Sequence, residues 1–204
     1  MTNRTVFLPV GSLLFFDITP DYASGTTYSL GNKVYYGGTL WRYKNSTPAS
    51  GQTPAIGSYW EIATDPIWQK ITEHNRQPLA IDTNRIENVK RMSNGTLRKY
   101  FIADKNSFST SWEMLPSRST MTVDGGYGAV DIQDYYSSTK GQGTFKIKLV
   151  YGQTLSGESV VERSEVYTVN FTQCNPTLVK RNVKGATTDP AQEFWSLSIA
   201  MEEV

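Results

Sequence analysis

The run Ser107–Met114, SFSTSWEM, alternates without a break. Phe108, Thr110, Trp112 and Met114 fall on one parity, and Ser107, Ser109, Ser111 and Glu113 on the other. A two-residue period sends successive side chains to opposite faces of a strand, so this stretch must lay its bulky groups in a core and its serines in water. Just before it, Leu97–Ile102 is aromatic and aliphatic, and Asp104-Lys105-Asn106 between the two supplies turn formers. The pattern predicts a β-hairpin over Leu97–Leu115, turning at 104–106, at the centre of the larger domain.

The same period returns downstream in Phe145, Ile147, Leu149 and Tyr151, in Tyr167, Val169 and Phe171, and in Trp195, Leu197, Ile199 and Met201. Val6–Val10, Leu13–Ile18 and Leu178–Val183 read as further strands, the last entered through a turn at Asn175-Pro176. Ser93-Asn94-Gly95-Thr96 is a strong turn signal. Ala129, Ile132 and Tyr136 recur at helical spacing with Asp124 or a glycine near the start and Gly141 beyond the end, which predicts a helix over 127–138. Asp65-Pro66 could open a second, short helix at Ile67–Glu73. Residues 152–162 and 184–192 read as loops long enough to act as arms toward a neighbouring molecule. The predicted fold is mainly β: an antiparallel sandwich or barrel with one flanking helix, plus a small three-stranded module near the N-terminus.

Composition narrows the function classes. Hydrophobic residues are 38% and charged residues 19% of the 204, which places the chain among folded proteins. The formal charge of +1 gives no electrostatic reason for tight sequence-independent binding to nucleic acid or an acidic membrane. No apolar run approaches the ~20 residues of a membrane span. The start, MTNRTVFLPVGSLLFF, continues into FFDITPDY without a small-residue cleavage site, and is read as a strand rather than a leader. One cysteine, Cys174, and one histidine, His74, cannot make a disulfide framework or a zinc site.

Neighbouring carboxylates occur at Asp131 with Asp134, Glu158 with Glu162, and Glu202 with Glu203. The first pair is one helical turn apart on a solvated face, and the last lies on opposite faces of a strand, so neither is set to flank a scissile bond. No catalytic residue, metal ligand or cofactor is expected. The basic run Arg85–Lys99 is read as a solvated or subunit-contacting face, with phosphate contact as the alternative.

Residues 28–63 have a different texture: Tyr28-x2-Gly31-x2-Val34-x-Tyr36-x-Gly38-x2-Trp41, then Gly51-x2-Pro54-x5-Trp60. So short a segment must draw its burial from its rings. The spacing resembles the small chitin-binding modules (family 5/12 type) attached to chitinases and cellulases. That resemblance implies a sugar-binding surface, with exposed rings among Tyr35, Trp41, Tyr43 and Tyr59 as the candidates and Tyr36 and Trp60 in the core. Where that family carries an adjacent aromatic pair this chain has Tyr43-Lys44-Asn45-Ser46, which favours a structural or docking module over one that grips polysaccharide. The expected boundaries are 1–20 for N-terminal strands of the larger domain, 21–63 for the module and 64–204 for the larger domain.

The larger domain carries a second resemblance. An N-G-T-x-R strand entry at Asn94–Arg98, the D-K-x-x-x-S-x-S-W run at Asp104–Trp112, a Gly-rich approach to a short helix and a final strand closing on Glu-Glu-Val are similar to tailed-phage virion proteins of the tail-tube kind. The resemblance implies a structural, non-enzymatic role: a subunit made in the host cytoplasm and built into the virion as stacked homo-oligomeric rings, hexameric by family. Its partners would be itself and other tail proteins, with genome DNA only in transit. A tail-tip or receptor-binding protein that touches host surface glycan through the aromatic module is the alternative.

Overall fold

The computed structural model describes residues 13–156, 159–182 and 192–204. The chain divides into two compact units: one of the residues up to Phe15 together with Lys70–Val204, the other Phe16–Gln69. The second unit is wider than the expected module of 21–63, starting five residues earlier and ending six later. Within the second unit, Ile18 N–H donates to the Ile67 carbonyl at 2.9 Å, and Ile67 N–H to Thr19 Oγ1 at 2.7 Å. These bonds tie Phe16–Thr19 to 64–69 and carry both segments with the module.

The first unit is built on a seven-stranded antiparallel sheet in the order β5-β1-β8-β9-β10-β7-β6. The strands are β1 (Leu13–Asp17), β5 (Trp68–Lys70), β6 (Ala80–Arg91), β7 (Leu97–Pro116), β8 (Phe145–Ser156), β9 (Ser159–Asn182) and β10 (Gln192–Glu203). One helix, α1 (Ala129–Ser137), packs beside β9 and β10. The second unit holds a three-stranded antiparallel sheet of β2 (Lys33–Tyr36), β3 (Thr39–Tyr43) and β4 (Trp60–Ile62). The architecture is the predicted one: mainly β, antiparallel, with one flanking helix and an aromatic module.

Alternation sorts the core. Phe108, Thr110 and Trp112 of β7, Phe145, Ile147 and Leu149 of β8, and Leu197, Ile199 and Met201 of β10 are all buried. The large sheet curls enough to bring the Phe108 ring to 4.9 Å from that of Tyr167, two strands away on β9. The period fails at Met114, which takes a left-handed φ of 55° and stays exposed. The register against β10 shifts there, between Trp195 and Leu197, and Leu115 and Pro116 turn inward in its place.

Several expectations are corrected. The turn at 104–106 does not form: β7 runs unbroken for 20 residues, and Asp104, Lys105 and Asn106 pair with Arg85, Asn84 and Thr83 of β6. Turn propensity loses to cross-strand chemistry, because Arg85 donates to both Asp104 oxygens at 2.9 and 3.1 Å and Asn106 accepts from Thr83 at 2.8 Å. The hairpin turn is instead Ser93–Thr96, with Gly95 at φ 82° and Met92 N–H bonded to the Thr96 carbonyl at 2.8 Å. Pro116 to Arg118 ends β7 as the proline there suggests. Asn175-Pro176 does not break β9, where Pro176 sits opposite Leu197 in the ladder.

The short helix expected at Ile67–Glu73 is the strand β5, and the loop expected over 152–162 is strand through Ser156 and again from Ser159. The strand Val6–Val10 and the 184–192 arm lie outside the described residues, apart from Gln192 at the start of β10.

Helix α1 buries Ala129, Ile132 and Tyr135, whereas Tyr136 is exposed. Tyr135 sits edge-on to Phe145 at 5.3 Å. Gly128 opens the helix, where Asp131 accepts its N–H at 3.2 Å and a Cβ would stand 2.6 Å from the Pro116 carbonyl oxygen. Asp131 and Asp134, the carboxylate pair of the sequence, both accept from Arg118 at 2.9 and 2.7 Å. They hold the 118–119 turn onto the helix.

Asp124 closes the neighbouring loop. Its carboxylate accepts from Thr72 Oγ1 at 2.6 Å, Glu73 N–H at 3.0 Å, Gly126 N–H at 3.2 Å and Lys70 Nζ at 3.0 Å. Burial alone would push this carboxyl up. The bonds from Glu73, Thr72, Lys70 and Gly126 together outweigh it and hold the group well below the usual carboxylate range. A lowered folded-state value means the stabilisation is complete above the unfolded value of about 3.9 and drains as pH falls below it. Asp124→Asn is therefore expected to cost about 1–3 kcal/mol at neutral pH. Chemical denaturation at pH 7 and below pH 3 should show the difference between variant and parent shrinking in acid.

Candidate functional site

The feature that the fold does not use for its own packing is the far half of the β6–β7 hairpin. β10 covers β7 only as far as Ser107, opposite Glu202. Asn106 N–H still donates to the Glu203 carboxylate at 3.0 Å, so among the described residues it is Leu97–Lys105 that is paired on one side alone, by β6, and β6 is the last strand of the sheet. Nine residues at about 3.4 Å each make a two-stranded ribbon roughly 30 Å long. Both of its long edges carry N–H and C=O groups without a ladder partner among the described residues.

The ladder register assigns the two faces. Glu87 with Phe101, Val89 with Lys99 and Arg91 with Leu97 lie on one; Asn88 with Tyr100 and Lys90 with Arg98 lie on the other. Ile86 shares the second face with Tyr100, and Ile102 is the extra residue of a bulge, since Ile86 pairs with Ala103 and Glu87 with Phe101. Both faces are apolar and open: Tyr100 is 71% exposed and Phe101 52%, with Ile86, Val89, Leu97 and Ile102 exposed as well.

The first face pairs two of its three cations, and the third, Arg91, donates to the Gly95 carbonyl at 3.2 Å. Arg85 pairs with Asp104 at 2.9 Å and stands 5.6 Å above the Phe101 ring, and Lys99 pairs with Glu87 at 2.7 Å. The Arg85 hydrogen bonds in turn hold the Asp104 carboxyl below its ordinary value.

A two-stranded ribbon in water is marginal, because it has no third strand or helix on which to lay a face. This one exposes large apolar groups on both faces and a 12-residue outer edge without proline. Such a surface is built to be covered. The sequence reading found the basic run here but missed the ribbon. The signal was present in Leu97–Ile102, whose Tyr100-Phe101-Ile102 run has large apolar groups on both parities and so cannot bury only one face.

The aromatic module places the four candidate sugar-contacting rings in different environments. Tyr43 is fully buried, edge-on to Trp60 at 5.0 Å, with its hydroxyl donating to the Thr47 carbonyl at 2.8 Å. Its expected exposure is corrected, and so is the expected burial of Tyr36, which is exposed. The reason is register. Tyr43 pairs with Trp60 at the centre of the sheet, while Tyr36 ends β2 beside the Gly37-Gly38 turn.

The core face of the module gathers Tyr28, Val34, Tyr43 and Trp60, and Trp41 and Tyr59 pack against it, each half-buried. Tyr35 points to the other face, where its hydroxyl donates to Asp17 at 2.8 Å. Burial, and then that carboxylate, push its ionisation up. The four are not brought together as one platform.

A shallow cleft of about 260 Å³ on this unit is lined by Lys33, Arg42, Ile62, Ala63, Thr64 and Asp65. Its charges are spoken for, with Lys33 donating to the Asp65 carbonyl at 2.6 Å and Arg42 paired with Glu61.

Among the described residues no three His, Cys, Asp or Glu side chains gather as a metal site, and burial pushes the Cys174 thiol up to about 11, away from reactivity. Among the described residues no helix is long and apolar enough to cross a membrane. Compared with known proteins, the chain matches no family, no curated sequence and no solved structure.

Proposed function

We propose that this chain is a phage virion structural protein, a tail tube subunit whose copies join into stacked rings. The observation that carries the reading is the β6–β7 ribbon, with two apolar faces and an outer edge that nothing covers among the described residues. A second edge without a ladder partner among the described residues complements it. β8 covers β9 only as far as Val169, opposite Phe145, so 170–182 of β9 is laddered among those residues on the β10 side alone. Two different free edges on one subunit support head-to-tail pairing, which closes into a ring when the rotation between copies permits. Six copies is the number the tail-tube resemblance implies. The chain would line a conduit for the genome, made in the host cytoplasm and ending in the virion. Tracing this chain in images of intact particles tests the reading. Its place in the wall of the tail tube would support it, and its absence from virions would end it.

A second reading, a tail-tip protein that holds host glycan, draws on Trp41, Tyr59 and Tyr36, rings of the module that keep exposed surface. Its test is retention on chitin or host cell wall that Trp41→Ala and Tyr36→Ala abolish. Tyr43→Ala is not a usable control, since that ring is core.

A further inference from the structure

The ribbon holds an electrostatic conflict that the isolated subunit does not relieve. Lys90 and Arg98 are direct cross-strand partners on the second face. Like charges placed opposite one another destabilise a ladder. Among the described residues neither cation has a carboxylate partner, and Asp82, the nearest carboxylate along that face of β6, lies eight positions away.

The charge is local. Residues 80–106, the whole hairpin, carry six cations and three carboxylates, a net +3 in a chain whose total is +1, so the rest of the chain carries −2.

We propose that the Lys90–Arg98 face of the ribbon, with Tyr100 and Ile86 beside it, docks on the acidic body of a second copy. The opposed cations thereby give the copy-to-copy contact its polarity. The inference rests on the self-assembly reading and adds to it the surface and the chemistry that recognises it. A second copy is the occupant because one chain supplies both halves of the complementarity: a basic, apolar ribbon and an oppositely charged remainder. The first face has less such demand, since Arg85 and Lys99 are paired with Asp104 and Glu87 and Arg91 donates to the Gly95 carbonyl. The contact is therefore sided, and it weakens as salt screens it.

The experiment compares the full chain with Lys90→Glu and Lys90→Arg by light scattering at about 0.05 M and about 0.5 M salt. A carboxylate at position 90 faces Arg98 as an ion pair, so a merely structural role for Lys90 leaves the variant's melting temperature equal to or above the parent's. The docking role requires association weaker by about ten-fold or more in that same well-folded variant. Lys90→Arg should associate as the parent does, and the parent should lose association at the higher salt.

Parent and Lys90→Glu associating alike, with no salt dependence, overturns this inference and leaves ring assembly standing. A parent that is monomeric at both salts overturns both. Duplex DNA bound by the parent and lost in Lys90→Glu, with association unchanged, overturns it in favour of a nucleic-acid contact.

Discussion

Trp112→Ala is expected to lower the stability of the larger unit by about 3–5 kcal/mol, the range for deleting a large buried aromatic. Trp112 has no exposed surface, stands opposite Leu197 in the β7–β10 ladder, and faces Arg76 at an isolated antiparallel bridge. Its indole N–H donates to the Thr72 carbonyl at 3.0 Å, and Thr72 Oγ1 in turn donates to Asp124. Removing the ring empties a core site and strips a buried carbonyl of its donor, two costs that fall on one position. Trp112→Phe keeps most of the volume and loses only the hydrogen bond, so it should cost a fraction of the alanine change. Urea unfolding of the three proteins, read by near-UV dichroism, checks the order.

The second large effect is on association. Tyr100→Asp together with Phe101→Asp puts a carboxylate on each face of the ribbon while leaving the turn at Ser93–Thr96 and the Arg85–Asp104 pair in place. Both side chains are more than half exposed, so the folded monomer should lose little, in keeping with surface changes away from packing. If copies cover both faces, each substitution removes an apolar ring from the contact and puts a carboxylate there that must be desolvated, and assembly should be lost outright. Size-exclusion chromatography beside a thermal melt separates the two readouts. The expected result is an unchanged melt with a shift to the monomer.

Much of this architecture was legible before any coordinates, and the reason is burial on one face. Phe108-x-Thr110-x-Trp112, Phe145-x-Ile147-x-Leu149 and Leu197-x-Ile199-x-Met201 announce strands because each has a wet side and a dry side. The helix was legible from Ala129 and Ile132. Its third inward residue was misassigned because Tyr135 and Tyr136 are adjacent rings and either fits a helical period. What stayed hidden depends on pairing. Asp104-Lys105-Asn106 looks like a turn until Arg85 and Thr83 stand across from it. Asn175-Pro176 looks like a break until β10 runs beside it.

The candidate site was the least legible part. A ribbon with apolar groups on both parities has no amphipathic period to read. In the module, spacing marked the rings but put Tyr36 in the core and Tyr43 outside, and the structure reverses both: Tyr36 is exposed and Tyr43 is held between Trp60 and the Thr47 carbonyl.

The central claim is that copies of this chain cover one another's ribbons. Sedimentation velocity of the purified chain over a wide concentration range, at low salt, tests it most directly. The expected result is a concentration-dependent shift from the 22.9 kDa monomer to a single closed oligomer, visible as rings in negative stain. A lone 22.9 kDa species at every concentration, with the ribbon protected from proteolysis all the same, would contradict it.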